Sequence, residues 1–508
     1  MISDCLRNVV RRHPLELAIV DGDQRITYAE LIERVQAARE CLRSALDPQP
    51  GDVLALSFDN SWQFVACFFA AAELGCVLMP CNPQWRAGEL RTFAGRLGFR
   101  GAVIEPRFTS EWNQILDAIP KDRVLTGDRI PVRRDPDGMS ALAPIDSVSE
   151  DAPVLYLSTS GSTSAPRLSV RSHRNLAATA ENVAGSLGIG PGRRFLSVLP
   201  FHSSHGLHNN LMAPLLSGAT LVMMRQFSPG ACAELMHREQ VDTLFGSPFV
   251  YGYLVDSVRD PALLSGLKYC FSGGARIPSS VVERWRDRFG LAIRQTYGMS
   301  ESGMIAADRT DRTPASSVGA CIGQPIRGVE VIVLSAEGSR LDPGEIGELA
   351  IRSASVMSGY FGEPELSRNL FHDGFFRTGD LGCFDSAGNL HLTGRKGRLM
   401  NIAGVKVDPV EVERVVETLP NVASCHVDAV PNGRGSEVIR ARVVPREGLS
   451  VTRPEVIEQC RRELAEYKLP RIIEFLEATP TTIAGKIARP APDAGPEAVP
   501  SGEPASSS

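Results

Sequence analysis

Apolar and polar positions alternate along this chain in two periods, one helical and one extended. In TYAELIERVQAARECL, Thr27 and Glu30 stand three apart, and Leu31, Val35, Ala38 and Leu42 then fall on one face; this predicts a capped amphipathic helix. DVLALSF (52–58) and GATLVMM (218–224) are short apolar runs of the kind that form buried strands. The longest apolar window, WQFVACFFAAAELGCVLMP (62–80), contains Gln63 and Glu73 and finishes on glycine and then proline. It predicts a buried helix stopping at Gly75 and a short buried strand, and argues against a membrane span. Helical and extended patterns alternate throughout, the mark of an α/β architecture, and no internal repeat is visible.

The patterning breaks twice. Near 394–404, GRKGRLMNIAG interrupts it with charge and glycine. DPVEVERVVETLP follows, with Asp408 as N-cap, Pro409 at the first helical position, Glu411 closing the box, and a stripe of Val412, Val415, Val416 and Leu419. A region of about ninety residues then remains, enough for its own core. Beyond Pro490, PAPDAGPEAVPSGEPASSS has almost nothing to bury and predicts a disordered tail. The expected units are therefore residues 1–397, 398–490 and a tail at 491–508.

Composition narrows the functional classes. The 508 residues are 43% hydrophobic and 22% charged, with a net charge of −5, which favours neither nucleic acid nor an anionic membrane as partner. The opening MISDCLRNVVRRHP carries charges where a signal peptide needs an apolar region. Eleven cysteines lie scattered with no CxxC pair, which reads as reduced thiols in a cytoplasmic protein without structural zinc.

Candidate chemistry starts at STSGSTSAPR (158–167), where seven of ten side chains are Ser, Thr or Gly. Backbone N–H groups and hydroxyls this dense suit either a slack turn or a loop around phosphate oxygens. Further stretches are SGGARIP (272–278), QTYGMSESG (295–303), FFRTGDLGCFDSAGNLHLTGRKGR (375–398) and TTIAGKIAR (481–489). No GxxxxGK[ST] occurs and no GxGxxG opens a helix in the first βα unit, so neither a P-loop NTPase nor a dinucleotide-binding fold is supported.

Taken in order, from about Thr27 to Arg489, these stretches resemble the adenylate-forming superfamily of acyl-CoA synthetases, luciferases and adenylation domains. The resemblance implies a large N-terminal α/β domain of sheets packed with helices and a small mobile α+β C-terminal domain. It implies that the loop is similar to the family's TSGSTGxPKG phosphate loop, with Thr159, Ser160, Gly161, Ser162, Thr163 and Pro166 matching. Ser164 and Leu168 replace glycines and Arg167 replaces lysine; Arg retains a cation suited to phosphate, whereas Leu168 conflicts with any need for φ > 0 there. By the same resemblance Gly274 and Ala275 line adenine beside Tyr297, in a stretch that includes Gly298 and Ser300. Glu301 ligates Mg²⁺, Asp380 accepts from the ribose hydroxyls, and Arg395 reaches the ribose or α-phosphate. Arg398 occupies the hinge, Lys486 is the catalytic lysine, and Gly404 leaves room for a pantetheine arm.

PFHSSHGLH (200–208) resembles a wall of the family's acyl pocket, which brings in His202, Ser203 and His205, with Thr296 at a raised pocket floor. Three histidines at spacing three are a weak zinc signal without further ligands. The Asp that would hold an α-amino group is not visible. The implied activity is a two-step ligase that uses ATP, Mg²⁺ and CoA. A carboxylic acid, with a lean towards aryl acids, becomes acyl-AMP and then a thioester. Transfer to an amine or to a carrier protein is the near alternative; a nucleotide-binding pseudoenzyme is the distant one.

Overall fold

The computed structural model describes residues 1–132, 148–159, 167–310, 321–395, 400–402, 405–407, 409–431, 437–464 and 466–477. Local signals act as the sequence predicts. The helix Tyr28–Leu46 opens on a closed box, in which Glu30 N–H donates to Thr27 Oγ1 at 3.2 Å and Thr27 N–H donates to Glu30 Oε2 at 2.8 Å. The helix Trp62–Glu73 is buried at every position but Gln63, as so apolar a helix must be. Gly75 ends it with φ of +72°, and the strand Val77–Pro80 follows. Glu73, buried in that helix, is neutralised by Arg7 at 2.8 Å and Arg39 at 3.1 Å, the pairing a buried carboxylate requires.

Two large sheets form the body of the protein. One has seven strands, with Gly359–Tyr360, Arg167–Ser172 and Pro153–Thr159 in succession at one end and the parallel strands Val77–Pro80, Val53–Ser57, Gly101–Ile104 and Val124–Thr126 beyond them. The other has a parallel centre and continues through Ile293–Met299 into an antiparallel part containing Gly303–Ala307, Cys321–Pro325, Leu390–Arg395 and Phe375–Phe384. The parallel strands Thr220–Met223, Thr243–Gly246 and Val53–Ser57 are buried along their whole length, as the strands of a parallel sheet usually are.

Residues from Met400 onward build a separate core. The antiparallel pair Val422–Pro431 and Glu437–Pro445, joined by Ile472–Phe475, packs against the helices Pro409–Glu417 and Arg453–Glu463. Val412 and Val416 are fully buried, and Val415 and Leu419 pack at the edge of the same cluster. The fold is thus mixed α/β with a large N-terminal and a small C-terminal part. The residues around the predicted boundary at 397–398, the N-cap Asp408 and the 491–508 tail lie outside the described residues. Among the described residues no helix is long and apolar enough to cross a membrane.

Candidate functional site

Thr159 and Arg167 stand opposite each other in the antiparallel pair Pro153–Thr159 and Arg167–Ser172, so residues 160–166 join two strand ends that are cross-strand neighbours. Ser160, Gly161, Ser162 and Thr163 lie outside the described residues, as does the side chain of Thr159. Arg167 leans its guanidinium towards Glu363 (3.3 Å) and over the Tyr360 ring (5.7 Å). The expected conflict at Leu168 does not arise. Leu168 continues the extended strand opposite Ser158 and is fully buried in the core, and among the described non-glycine residues only Asp47, Gln240 and Asp373 have positive φ.

The adenine, ribose and metal candidates gather around the strand Ile293–Met299 and the turn after it. Tyr297 Oη donates to Asp380 Oδ2 at 2.6 Å, and Arg395 Nε lies 3.5 Å from Asp380 Oδ1. Asp380 and Arg395 face each other across neighbouring strands, which fixes this group by register. Burial and then the Asp380 carboxylate hold the Tyr297 phenol well above its ordinary pKa, so it remains a donor at neutral pH. Gly274 and Ala275 are exposed just beyond the strand Tyr269–Ser272, with Gly274 at φ of +85°. Gly298 must be glycine, because a Cβ there would lie 2.4 Å from the Gly303 carbonyl oxygen. Beside Ala275, Arg276 reaches the Glu417 carboxylate of the small domain at 3.2 Å.

Glu301 is 5% exposed, in the turn between Met299 and Gly303. Tyr360 Oη donates to its Oε1 at 2.6 Å. The backbone carbonyl of Ser300 accepts from Arg171 Nη1 at 2.8 Å and from Ser169 Oγ at 3.5 Å, so the exit strand of the loop and the Glu301 turn are bonded together. A buried carboxylate with one oxygen on a phenol suits a hard divalent cation. No group of three or more His, Cys, Asp or Glu side chains that could hold a metal occurs among the described residues.

The histidine-rich stretch divides its labour. Ser203 turns its hydroxyl to the backbone, donating to Pro200 O at 2.7 Å and accepting from Gly206 N–H at 3.1 Å. His205 lies edge-on to Phe245, which stacks on Phe271 with ring centroids 4.6 Å apart. A Cβ on Gly273 would come within 2.5 Å of Thr296 Oγ1 and 2.9 Å of His205 Cε1, so these three positions form one tight wall. Thr296 itself donates to Ser272 O at 3.2 Å. His208 contacts Ser204 Oγ (3.2 Å) and Arg171 (3.5 Å). His202 is half-buried in the same stretch.

Burial lowers the pKa of His202 and of His205 to about 4. Between pH 4 and 6.5 the unfolded chain binds protons that these folded imidazoles do not, so stability rises with pH across that window. The melting temperature is expected to fall as pH drops from 7 to 5, and His205→Gln is expected to flatten the slope. Scanning fluorimetry of both proteins at several pH values checks this, and equal slopes would contradict it.

Lys486, Arg398 and Gly404 lie outside the described residues. Sequence reading passed over Arg171, Tyr360 and Glu363. Its one available signal was an arginine inside the otherwise strand-like RLSVRS.

Comparison with known proteins gives two family matches: "AMP-binding enzyme" over residues 6–361 and "AMP-binding enzyme C-terminal domain" over residues 411–486. The chain is 32% identical to a feruloyl-CoA synthase of Amycolatopsis sp. across 94% of this chain and 95% of that protein. Its fold is similar to ATP-bound MatB from Rhodopseudomonas palustris, with a TM-score of 0.86, 26% identity, and coverage of 96% of this chain and 97% of that one. It is also similar to the amide bond synthetase McbA from Marinactinospora thermotolerans, with a TM-score of 0.85, 27% identity, and coverage of 96% and 98%.

Proposed function

The chain belongs to the AMP-binding enzyme family and is an ATP-dependent, AMP-forming acid–CoA ligase; from that premise we propose an aryl acid as substrate and assign roles to the residues of the site. In the first half-reaction a carboxylate oxygen of the acid attacks the α-phosphorus, the bond to the β-phosphate breaks, and pyrophosphate leaves. The loop 159–167 holds the β- and γ-phosphates through backbone N–H groups, while Asp380, oriented by Tyr297, holds the ribose. Glu301 would hold Mg²⁺, which when bound would supply positive charge against the phosphate oxygens. Lys486 bridges the acid and the α-phosphate where negative charge builds.

In the second half-reaction the CoA thiol sulfur attacks the acyl carbon, AMP departs, and the thiol proton passes to solvent. Rotation of the small domain about Arg398 withdraws Lys486 and brings Gly404 to the pantetheine path. The observation that carries the nucleotide assignment is the convergence of Tyr297–Asp380–Arg395 and Tyr360–Glu301 on one strand and its turn, with Ser300 of that turn bonded to Arg171 of the strand Arg167–Ser172. Support for an aryl acid comes from the aromatic backing of His205, whose ring meets Phe245 edge-on in front of the Phe245–Phe271 stack, and from likeness to a feruloyl-CoA synthase.

Transfer to an amine is the second reading, favoured by likeness to an amide bond synthetase. Product analysis with an acid panel, ATP and Mg²⁺, with CoA, with amines and with neither, separates the two. Aryl-CoA formation is expected; amide formation at a comparable rate without CoA would overturn the choice. Thr296→Gly is expected to shift the accepted acids towards bulkier ones, because it empties the space against Gly273. An unchanged acid profile in the same panel would remove Thr296 from the pocket.

A further inference from the structure

We infer that Arg171 is a positioning residue: its guanidinium locks the Glu301 turn to the exit strand of the phosphate loop, so that triphosphate and divalent cation meet in register. This rests on the reading of the site as a Mg·ATP site. Arg171 stands four residues beyond Arg167 in the same strand and is 0% exposed. Its fork reaches three separate segments. Nη1 donates to Ser300 O at 2.8 Å, and Nη2 donates to Thr179 Oγ1 at 2.9 Å and to Ser355 O at 2.8 Å.

Each of these contacts bears on Glu301. Ser300 precedes it in the turn. The segment containing Ser355 donates to it twice, through Met357 N–H to Glu301 O at 2.7 Å and through Tyr360 Oη to Oε1 at 2.6 Å. Thr179 abuts the far end of the turn, where a Cβ on Gly303 would lie 2.5 Å from Thr179 Cγ2. One planar guanidinium thus fixes the backbone before the carboxylate, the donor that orients it, and the packing behind it. An ammonium would be a point charge at the end of a flexible stem and could not span the three directions at once.

Burying a cation among carbonyls is costly, and apolar packing would fill the space at least as well. What apolar packing would lack is a set of donors aimed at the Ser300 and Ser355 carbonyls. The guanidinium therefore holds the turn in place before any metal arrives, and leaves a preset turn for the metal to enter. Groups that orient a metal ligand typically contribute 10–100-fold to metal affinity.

The test uses the full chain, wild type and two variants, Arg171→Met and Arg171→Lys. Melting temperature is measured with ATP plus EDTA and with ATP plus Mg²⁺, and acid-dependent pyrophosphate exchange is titrated with Mg²⁺. Arg171→Met is expected to lose the Mg²⁺-dependent part of the ATP-induced rise and to need about 10–100-fold more Mg²⁺ for half-maximal exchange. Arg171→Lys should fall between it and wild type. A folded Arg171→Met with wild-type Mg²⁺ dependence would overturn the inference; if that variant does not fold, Arg171→Lys with wild-type Mg²⁺ dependence would do so. Should wild type itself show no Mg²⁺-dependent response to ATP, the reading of the site falls first and this inference with it.

Discussion

Lys486→Ala is expected to lower acid-dependent pyrophosphate exchange by on the order of 100-fold or more, equivalent to about 2.7 kcal/mol of transition-state stabilisation. The ammonium would sit where the attacking carboxylate and the α-phosphate share growing negative charge, so its removal leaves that charge uncompensated at the barrier. The C-terminal family match runs to residue 486, which places the lysine at the end of the recognised domain. The second half-reaction, started from synthetic acyl-AMP and CoA, should retain near wild-type rate, because the proposed domain rotation would by then have withdrawn Lys486. Equal losses in both half-reactions would refute the role.

Glu301→Gln is expected to reduce the same exchange by on the order of 100-fold at limiting Mg²⁺. Glutamine preserves shape and can still accept from Tyr360 Oη, which lies 2.6 Å from the carboxylate. What it removes is the charge a divalent cation needs. Because a 5%-exposed carboxylate is costly to bury, the variant should melt no lower than wild type without ligands. Exchange within about threefold of wild type at every Mg²⁺ concentration would take Glu301 out of the metal's shell. Loss of fold would point instead to a structural role.

Much of the fold was legible because its signals are local. Thr27 and Glu30 cap a helix within one turn, and Gly75 ends one by adopting a conformation that side chains avoid. The apolar runs at 53–57 and 220–223 lie in the sheets where continuous burial puts them. The Tyr297, Glu301, Asp380 and Arg395 stretches were legible as motifs, but their mutual contacts were not. Tyr297 was expected beside adenine, and its hydroxyl goes to Asp380, 83 residues away.

Long-range polar contacts escaped for the same reason. Two of the acceptors of Arg171 are backbone carbonyls 129 and 184 residues distant, and a carbonyl belongs to every residue type, so no side-chain pattern announces it. Ser203 is a related case: a residue picked for the acid pocket turns its hydroxyl to the local backbone. Leu168 shows that a departure from a motif can be read only with the strand in view. Where a loop ends and a buried extended strand begins, a leucine packs and needs no positive φ.

The central claim is that this site joins a carboxylate to the α-phosphate of ATP. Acid-dependent exchange of labelled pyrophosphate into ATP tests it most directly, since the label enters only if the acyl-AMP step runs forward and back. Exchange that needs both Mg²⁺ and an aryl acid, and that collapses in Lys486→Ala, is the predicted result. No exchange by the folded protein across a broad panel of aryl, alicyclic and aliphatic acids would contradict it.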